Sequence, residues 1–144
     1  MMSKIAIVYW SGTGNTETMA RCIEEGVKAA GGEAVLMGIG EFSPARFSEF
    51  SAVAFGCPAM GSEQLEETEF EPAFEALESS LSGKNIALFG SYGWGDGQWM
   101  RDWCSRCDNA GANLLDESGL MANEAPDDAV QESCRDLGRR LAAW

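Results

Sequence analysis

The run Lys4-Ile5-Ala6-Ile7-Val8-Tyr9-Trp10-Ser11-Gly12-Thr13-Gly14-Asn15-Thr16 decides the fold. Residues 4–9 form an apolar, β-branched run, the pattern of a buried strand. Residues 11–16 then supply two glycines, three hydroxyls and an Asn directly before a helical pattern. That pattern places Met19, Ile23, Val27 and Ala30 on one face and stops at Gly31-Gly32. Working outward, the alternation repeats. Residues 33–38 read as a second strand, 39–50 as a loop punctuated by Pro44, and 51–57 as a third strand. After a loop at 58–64, Phe70, Phe74, Leu77 and Leu81 recur at helical spacing. Residues 85–90 read as a fourth strand, and 91–97 as a glycine-rich loop before a helix over about 98–110. Residues 112–121 give a fifth, less regular strand. Beyond Pro126, the spacing of Val130, Cys134, Leu137 and Leu141 predicts a closing helix.

Strands alternating with helices predict an α/β fold, a doubly wound parallel sheet with helices on both faces. Right-handed crossovers and five strands favour the flavodoxin-like order 2-1-3-4-5. There is no internal repeat and no linker, so residues 1–144 are expected to form one domain. Ligands of such sheets bind beyond the carboxyl ends of the strands, at the topological switch point. That edge carries the loops at 11–16, 58–64 and 91–97.

The first loop is an anion site by its chemistry. Exposed backbone N–H groups and the helix dipole attract negative charge, and Gly12 and Gly14 let the backbone wrap an oxyanion. It lacks the Lys of a Walker A loop, and Glu17 breaks the dinucleotide fingerprint. Neutral donors alone suit a terminal monophosphate. The plainer alternative is a turn with a helix cap. The other two loops place Met60 and Trp94 where a planar aromatic ligand fits between them, although Trp94 packed on a neighbour is the competing reading.

These residues carry a family resemblance. Ser11-Gly12-Thr13-Gly14-Asn15-Thr16, Ala59-Met60-Gly61-Ser62-Glu63, and the run from Ala87-Leu88-Phe89-Gly90-Ser91-Tyr92-Gly93-Trp94-Gly95-Asp96-Gly97 to Trp99-Met100-Arg101-Asp102-Trp103 resemble the short-chain bacterial flavodoxins. The likeness spans essentially the whole chain. It implies one noncovalent FMN and a carrier that shuttles single electrons, mainly between semiquinone and hydroquinone, at low potential. It also implies roles for single residues. Ser11, Gly12, Thr13, Gly14, Asn15 and Thr16 would hold the phosphate. Pro58 and Ala59 would lead into the flavin loop, with Ser62 beside Gly61. Met60 would lie on one ring face and Trp94 on the other. Glu63 would accept from the ring N3–H, and backbone N–H groups of Gly93, Trp94 and Gly95, next to Tyr92, would reach the pyrimidine edge. Ser91 and Asn123 would meet the ribityl chain. Gly61 would let a peptide turn so that its carbonyl meets the reduced ring. Pro58 departs from the many relatives with a phosphate-contacting Ser, removing a hydroxyl and a backbone N–H together.

Composition narrows the alternatives. Among the 144 residues, 23 acids face ten bases, a net charge of −13, which disfavours nucleic acid and anionic membranes as partners. The complete absence of His removes the commonest general base and most transition-metal sites, so neither a catalytic residue nor a metal is expected. The apolar run at the N-terminus is too short for a signal core or a membrane span, and five unpatterned cysteines suit a reducing compartment; a cytoplasmic monomer is expected. Cys104 and Cys107 form a C-x-x-C pair, but they fall at helical spacing with Met100, Trp103 and Ala110 and read as core. From Phe47 to Gly83 there are eight acids (Glu49, Glu63, Glu66, Glu67, Glu69, Glu71, Glu75, Glu78) and no base. This stretch reads as a solvated face, or as a surface that steers basic reductases and electron acceptors to the flavin. Two other functions compete. An NAD(P)H-dependent FMN quinone reductase on the same fold lacks a basic cluster for the nicotinamide nucleotide. A phosphoryl-receiver module needs an Asp at the end of the third strand, where Cys57 and Pro58 stand.

Overall fold

The computed structural model describes residues 3–12, 14–60, 64–93, 95–116 and 118–144. Strand β1 (Lys4–Tyr9) leads through the glycine loop into helix α1 (Asn15–Ala29), and β2 (Glu33–Gly38) follows. The segment expected as loop contains two 3₁₀ turns, Ile39–Glu41 and Pro44–Glu49, before β3 (Ala52–Gly56). Then come α2 (Phe70–Glu78), β4 (Asn85–Tyr92), α3 (Gln98–Asn109), β5 (Asn113–Leu114), β6 (Leu120–Asn123) and α4 (Asp128–Ala143).

The strands pair in the order β2-β1-β3-β4-β5, all parallel, as the alternation predicts. The fifth position differs in detail. Two short strands share it, β5 against Asn85 and Ile86, and β6 against residues Phe89 to Tyr92 of β4. The break lies at a turn: the Gly119 N–H bonds the Asp116 carbonyl at 3.1 Å, and Gly119 sits at φ 73°. An extended strand cannot pass through that conformation.

The period of two sorts the core into two layers. Ile5 and Ile7 of β1, Ala54, Ala87 and Phe89 pack with Met19, Ile23 and Val27 of α1 and Leu137 and Leu141 of α4. Ala6 and Val8, Val53, Phe55 and Leu88 pack on the opposite face with Phe70, Phe74, Trp99 and Trp103 from α2 and α3. Aromatic edges fit into this second layer: Phe55 meets Phe74 at 5.2 Å and Phe70 meets Trp103 at 5.4 Å, both nearly perpendicular.

Helices α1 and α4 approach until backbone touches backbone. A Cβ on Gly26 would stand 1.9 Å from the Arg135 carbonyl oxygen, and one on Gly138 would stand 2.1 Å from that of Ile23. Any side chain there must push the helices apart and open the layer beneath. Gly26→Ala is therefore expected to cost about 1–3 kcal/mol, the usual range for overpacking, read as a lower urea midpoint with an unchanged slope. A midpoint equal to wild type would contradict the close contact.

Candidate cofactor site

All the parallel strands deliver their carboxyl ends to one edge, where the loops after β1, β3 and β4 meet around a cavity of about 360 Å³. It is lined by Trp10, Gly12 and Asn15, by Pro58, Ala59 and Met60, by Ser91, Tyr92 and Gly93, and by Glu124. The three loops singled out in the sequence are thus brought together.

The first loop is shaped by its own hydroxyl. Ser11 Oγ accepts from the Gly14 and Glu17 N–H groups at 3.1 and 3.3 Å, so the chain folds back over the start of α1. Gly14, the residue before the helix, is left-handed at φ 96°, a conformation a glycine adopts without strain. Thr16 is 1% exposed and its hydroxyl lies 3.5 Å from that of Ser91, itself 4% exposed, which ties the first turn of α1 to the end of β4. The nearby Arg21 is engaged by Glu17 at 3.0 Å, leaving dipoles and hydroxyls as the donors of the loop.

The second loop is clamped at both ends. The Ala59 N–H bonds the Ser91 carbonyl at 3.0 Å, and Met60 and Gln64 exchange backbone bonds at 2.8 and 3.0 Å. The Trp99 indole N–H reaches the Cys57 carbonyl at 3.1 Å and anchors the end of β3 to α3. Beyond Gln64 the chain turns into α2, whose N-terminus is held by Glu66. That carboxylate, 5% exposed, accepts from the Thr68, Glu69 and Phe70 N–H groups at 2.7–2.8 Å and from the Thr68 hydroxyl. Burial pushes its pKa up, but those hydrogen bonds prevail and hold it at about 2.

Of the residues predicted for the site, Gly12, Asn15, Pro58, Ala59, Met60, Ser91, Tyr92 and Gly93 line the cavity. Ser11, Gly14 and Thr16 build the loop behind it. Gly95, at φ 90°, and Asn123, at the exposed end of β6, are not among the lining residues. Thr13, Gly61, Ser62, Glu63 and Trp94 lie outside the described residues. Two lining residues escaped the sequence reading, Trp10 and Glu124. Trp10 carries a signal, a large ring directly after a buried strand and before a glycine loop. Its ring stands 3.1 Å from where a Cβ on Gly12 would lie.

The acidic stretch also resolves into different parts. Glu66 is a buried helix cap and not a surface charge. Glu71 and Glu78 share Arg106 of α3, at 2.7 Å each, and Glu49 pairs with Arg46 at 3.1 Å. Glu67, Glu69 and Glu75 remain exposed, and Asp96 pairs with Arg101 at 2.9 Å. Cys104 and Cys107 are buried inside α3, as read from their spacing, and burial pushes their thiols up to about 11 and about 12. Among the described residues no group of three or more potential ligands could hold a metal ion, and no helix is long and apolar enough to cross a membrane.

The flavodoxin family model matches residues 7–138. The flavodoxin of Megasphaera elsdenii is 44% identical over 138 residues, covering 96% of this chain and 98% of that protein. The flavodoxin of Clostridium beijerinckii is 43% identical over 136 residues, covering 94% of this chain and 97% of that one. In structure, the chain is similar to the two-electron reduced Megasphaera elsdenii flavodoxin in solution, with a TM-score of 0.89 over 97% of this chain and 99% of that chain. It also resembles a flavodoxin from the domain Archaea, at 26% identity and a TM-score of 0.84 over 97% and 96% of the two chains.

Glu66 supplies a measurable signature of the loop's anchoring. With its folded pKa lowered from the ordinary 4.5 to about 2, it stabilises the fold fully above the unfolded value. That contribution fades as pH falls through the folded value. Glu66→Gln is expected to lose about 1–3 kcal/mol at neutral pH, with the gap to wild type closing as pH falls toward 2, measured by urea unfolding across pH. A pH-independent gap would contradict the ionised cap.

Proposed function

The chain belongs to the flavodoxin family of FMN-carrying electron-transfer proteins, and from that premise we propose which residues hold the cofactor and which surface its partners meet. It is an electron carrier and not an enzyme, and the quinone-reductase alternative is not favoured. FMN supplies the one-electron chemistry; the protein supplies the cradle. The observation that carries the site assignment is the cavity itself: it lies at the carboxyl edge of the sheet and is lined by the loops after β1, β3 and β4, with a cation-free loop over the start of α1.

The donor set fits a phosphate monoester. The loop formed by Ser11, Gly12, Thr13, Gly14, Asn15 and Thr16 would offer it hydroxyls, N–H groups and the positive end of α1. Ser11 and Thr16 hold that shape, and Pro58 contributes bulk instead of a donor. The mostly apolar lining of the cavity, with Trp10, Pro58, Ala59, Met60 and Tyr92, suits the ring. By the family resemblance, Met60 and Trp94 would cover its two faces, and Gly61, Ser62 and Glu63 would complete one side, with Glu63 as the acceptor for the ring N–H. Backbone N–H groups of Gly93, Trp94 and Gly95 would meet its polar edge beside Tyr92, and Ser91 and Asn123 would serve the polyol.

A site whose phosphate is met by dipoles alone makes added negative charge costly. This supports a low working potential for the carrier, in the more reduced of its two one-electron couples. The exposed Glu67 and Glu69, which follow the second loop, and Glu75 of α2 form the acidic surface toward which a basic reductase or acceptor is steered. One domain spanning residues 1–144, acting as a cytoplasmic monomer, completes the proposal.

Two measurements test it. Purified protein stripped of flavin is expected to quench the fluorescence of added FMN at one per chain; protein that leaves the fluorescence of excess FMN unchanged would refute the site. Electron delivery from a basic reductase is expected to slow as salt is added, whereas a rate flat in ionic strength would remove the steering role.

A further inference from the structure

Among the described residues lining the cavity, Glu124 is the one with a charged side chain. The others are aromatic, apolar, glycine or neutral polar residues. Glu124 is also the one non-glycine residue among those described whose backbone is left-handed, at φ 60°. A Cβ is disfavoured in that conformation and a glycine would adopt it without strain.

The surrounding structure holds the strain in place. The Glu124 N–H donates to the Tyr92 carbonyl at 2.6 Å and continues the β4–β6 ladder one step past the Tyr92–Asn123 pair. On the other side the chain enters buried Pro126, and the Asp127 carboxylate accepts from the Val130 N–H at 2.9 Å to start α4. A strained residue fixed from both sides at the rim of a ligand cavity points to a use for its side chain. That side chain has the wrong sign to attract a phosphate, and the first cations of the helices that follow two of the loops are engaged elsewhere, Arg21 of α1 by Glu17 and Arg101 of α3 by Asp96.

Resting on the FMN assignment, we propose that Glu124 is a charge-poising residue: its carboxylate penalises negative charge held in the cavity. It acts through its field and touches no reacting atom. The penalty falls on the phosphate of the cofactor and again on each electron received from a redox partner; the electron stays on the cofactor and no proton passes to or from Glu124. The position thus trades some cofactor affinity for a more reducing carrier.

The test separates charge from shape. Glu124→Gln keeps the size and removes the charge; Glu124→Gly removes both the charge and the strained Cβ. The apoprotein of each is titrated by fluorescence with FMN and with riboflavin, which has the same ring and polyol but no phosphate, at low and high salt. In Glu124→Gln, FMN is expected to bind about three- to tenfold more tightly at low salt, the scale of one partly screened charge pair. Riboflavin affinity is expected to stay within about twofold, and the FMN gain to shrink at high salt. Glu124→Gly is expected to show the same gain, and in both variants the midpoint potential is expected to become less reducing. An FMN affinity that is unchanged or weakened in Glu124→Gln overturns the proposal, as does an equal change for both flavins or an unmoved potential. Wild-type protein that binds neither flavin overturns the FMN assignment and this proposal with it; wild-type binding with an unresponsive variant overturns this proposal alone.

Discussion

The constraint behind the rest of the structure is that a parallel sheet covered on both faces leaves its strands no room for polar chemistry. Ile5 and Ile7 point to one helical layer, Ala6 and Val8 to the other, and all four are fully buried. A charged group on any of them would lose its water with nothing to replace it. The polar work therefore moves to the strand ends. Because all the strands run the same way, one edge collects three loops and the start of α1, where unpaired N–H groups and the dipole favour negative charge. The glycine contact of Gly26 and Gly138 serves the same end, seating α1 tightly beside α4 so that its first turn is held at that edge.

How much of this was legible in the chain follows from what each feature depends on. Strand and helix positions depend on local periodicity, and the first strand, the order of the sheet and the three loops could be read directly. The split between β5 and β6 depends on the turn closed by the Gly119 N–H on the Asp116 carbonyl, which the strand expected over 112–121 did not include. The ion pairs of Arg106 depend on α3 crossing α2, which brings Glu71 and Glu78 to a residue about thirty positions away. No run of acids in sequence can reveal that. Glu66 looked like one more surface charge because its burial is a product of the turn it caps. Glu124 was hidden for a related reason: a left-handed backbone at a glutamate has no signature in composition, whereas a glycine in the same place would have announced a turn.

Sorting the acids in this way changes what the net charge of −13 means. It is not spread as a uniform shell. Several bases are tied to particular acids: Arg106 braces α2 against α3, and Arg135, Arg139 and Arg140 lace the surface of α4 to Glu25, Glu132 and Asp136. Exposed pairs of this kind add little stability individually. Their larger effect is to neutralise acids on α1, α2 and α4, whereas Glu124 lines the cavity at the carboxyl edge with no base among the described lining residues. A phosphate held there by dipoles would gain affinity from geometry and none from a countercharge. A cation in the loop would have bound the phosphate more tightly and would also have eased the arrival of every electron. On the proposed assignment, the neutral loop and the acidic rim would act in one direction: affinity would rest on the shape of the loop, and the field would be left free to keep the carrier reducing.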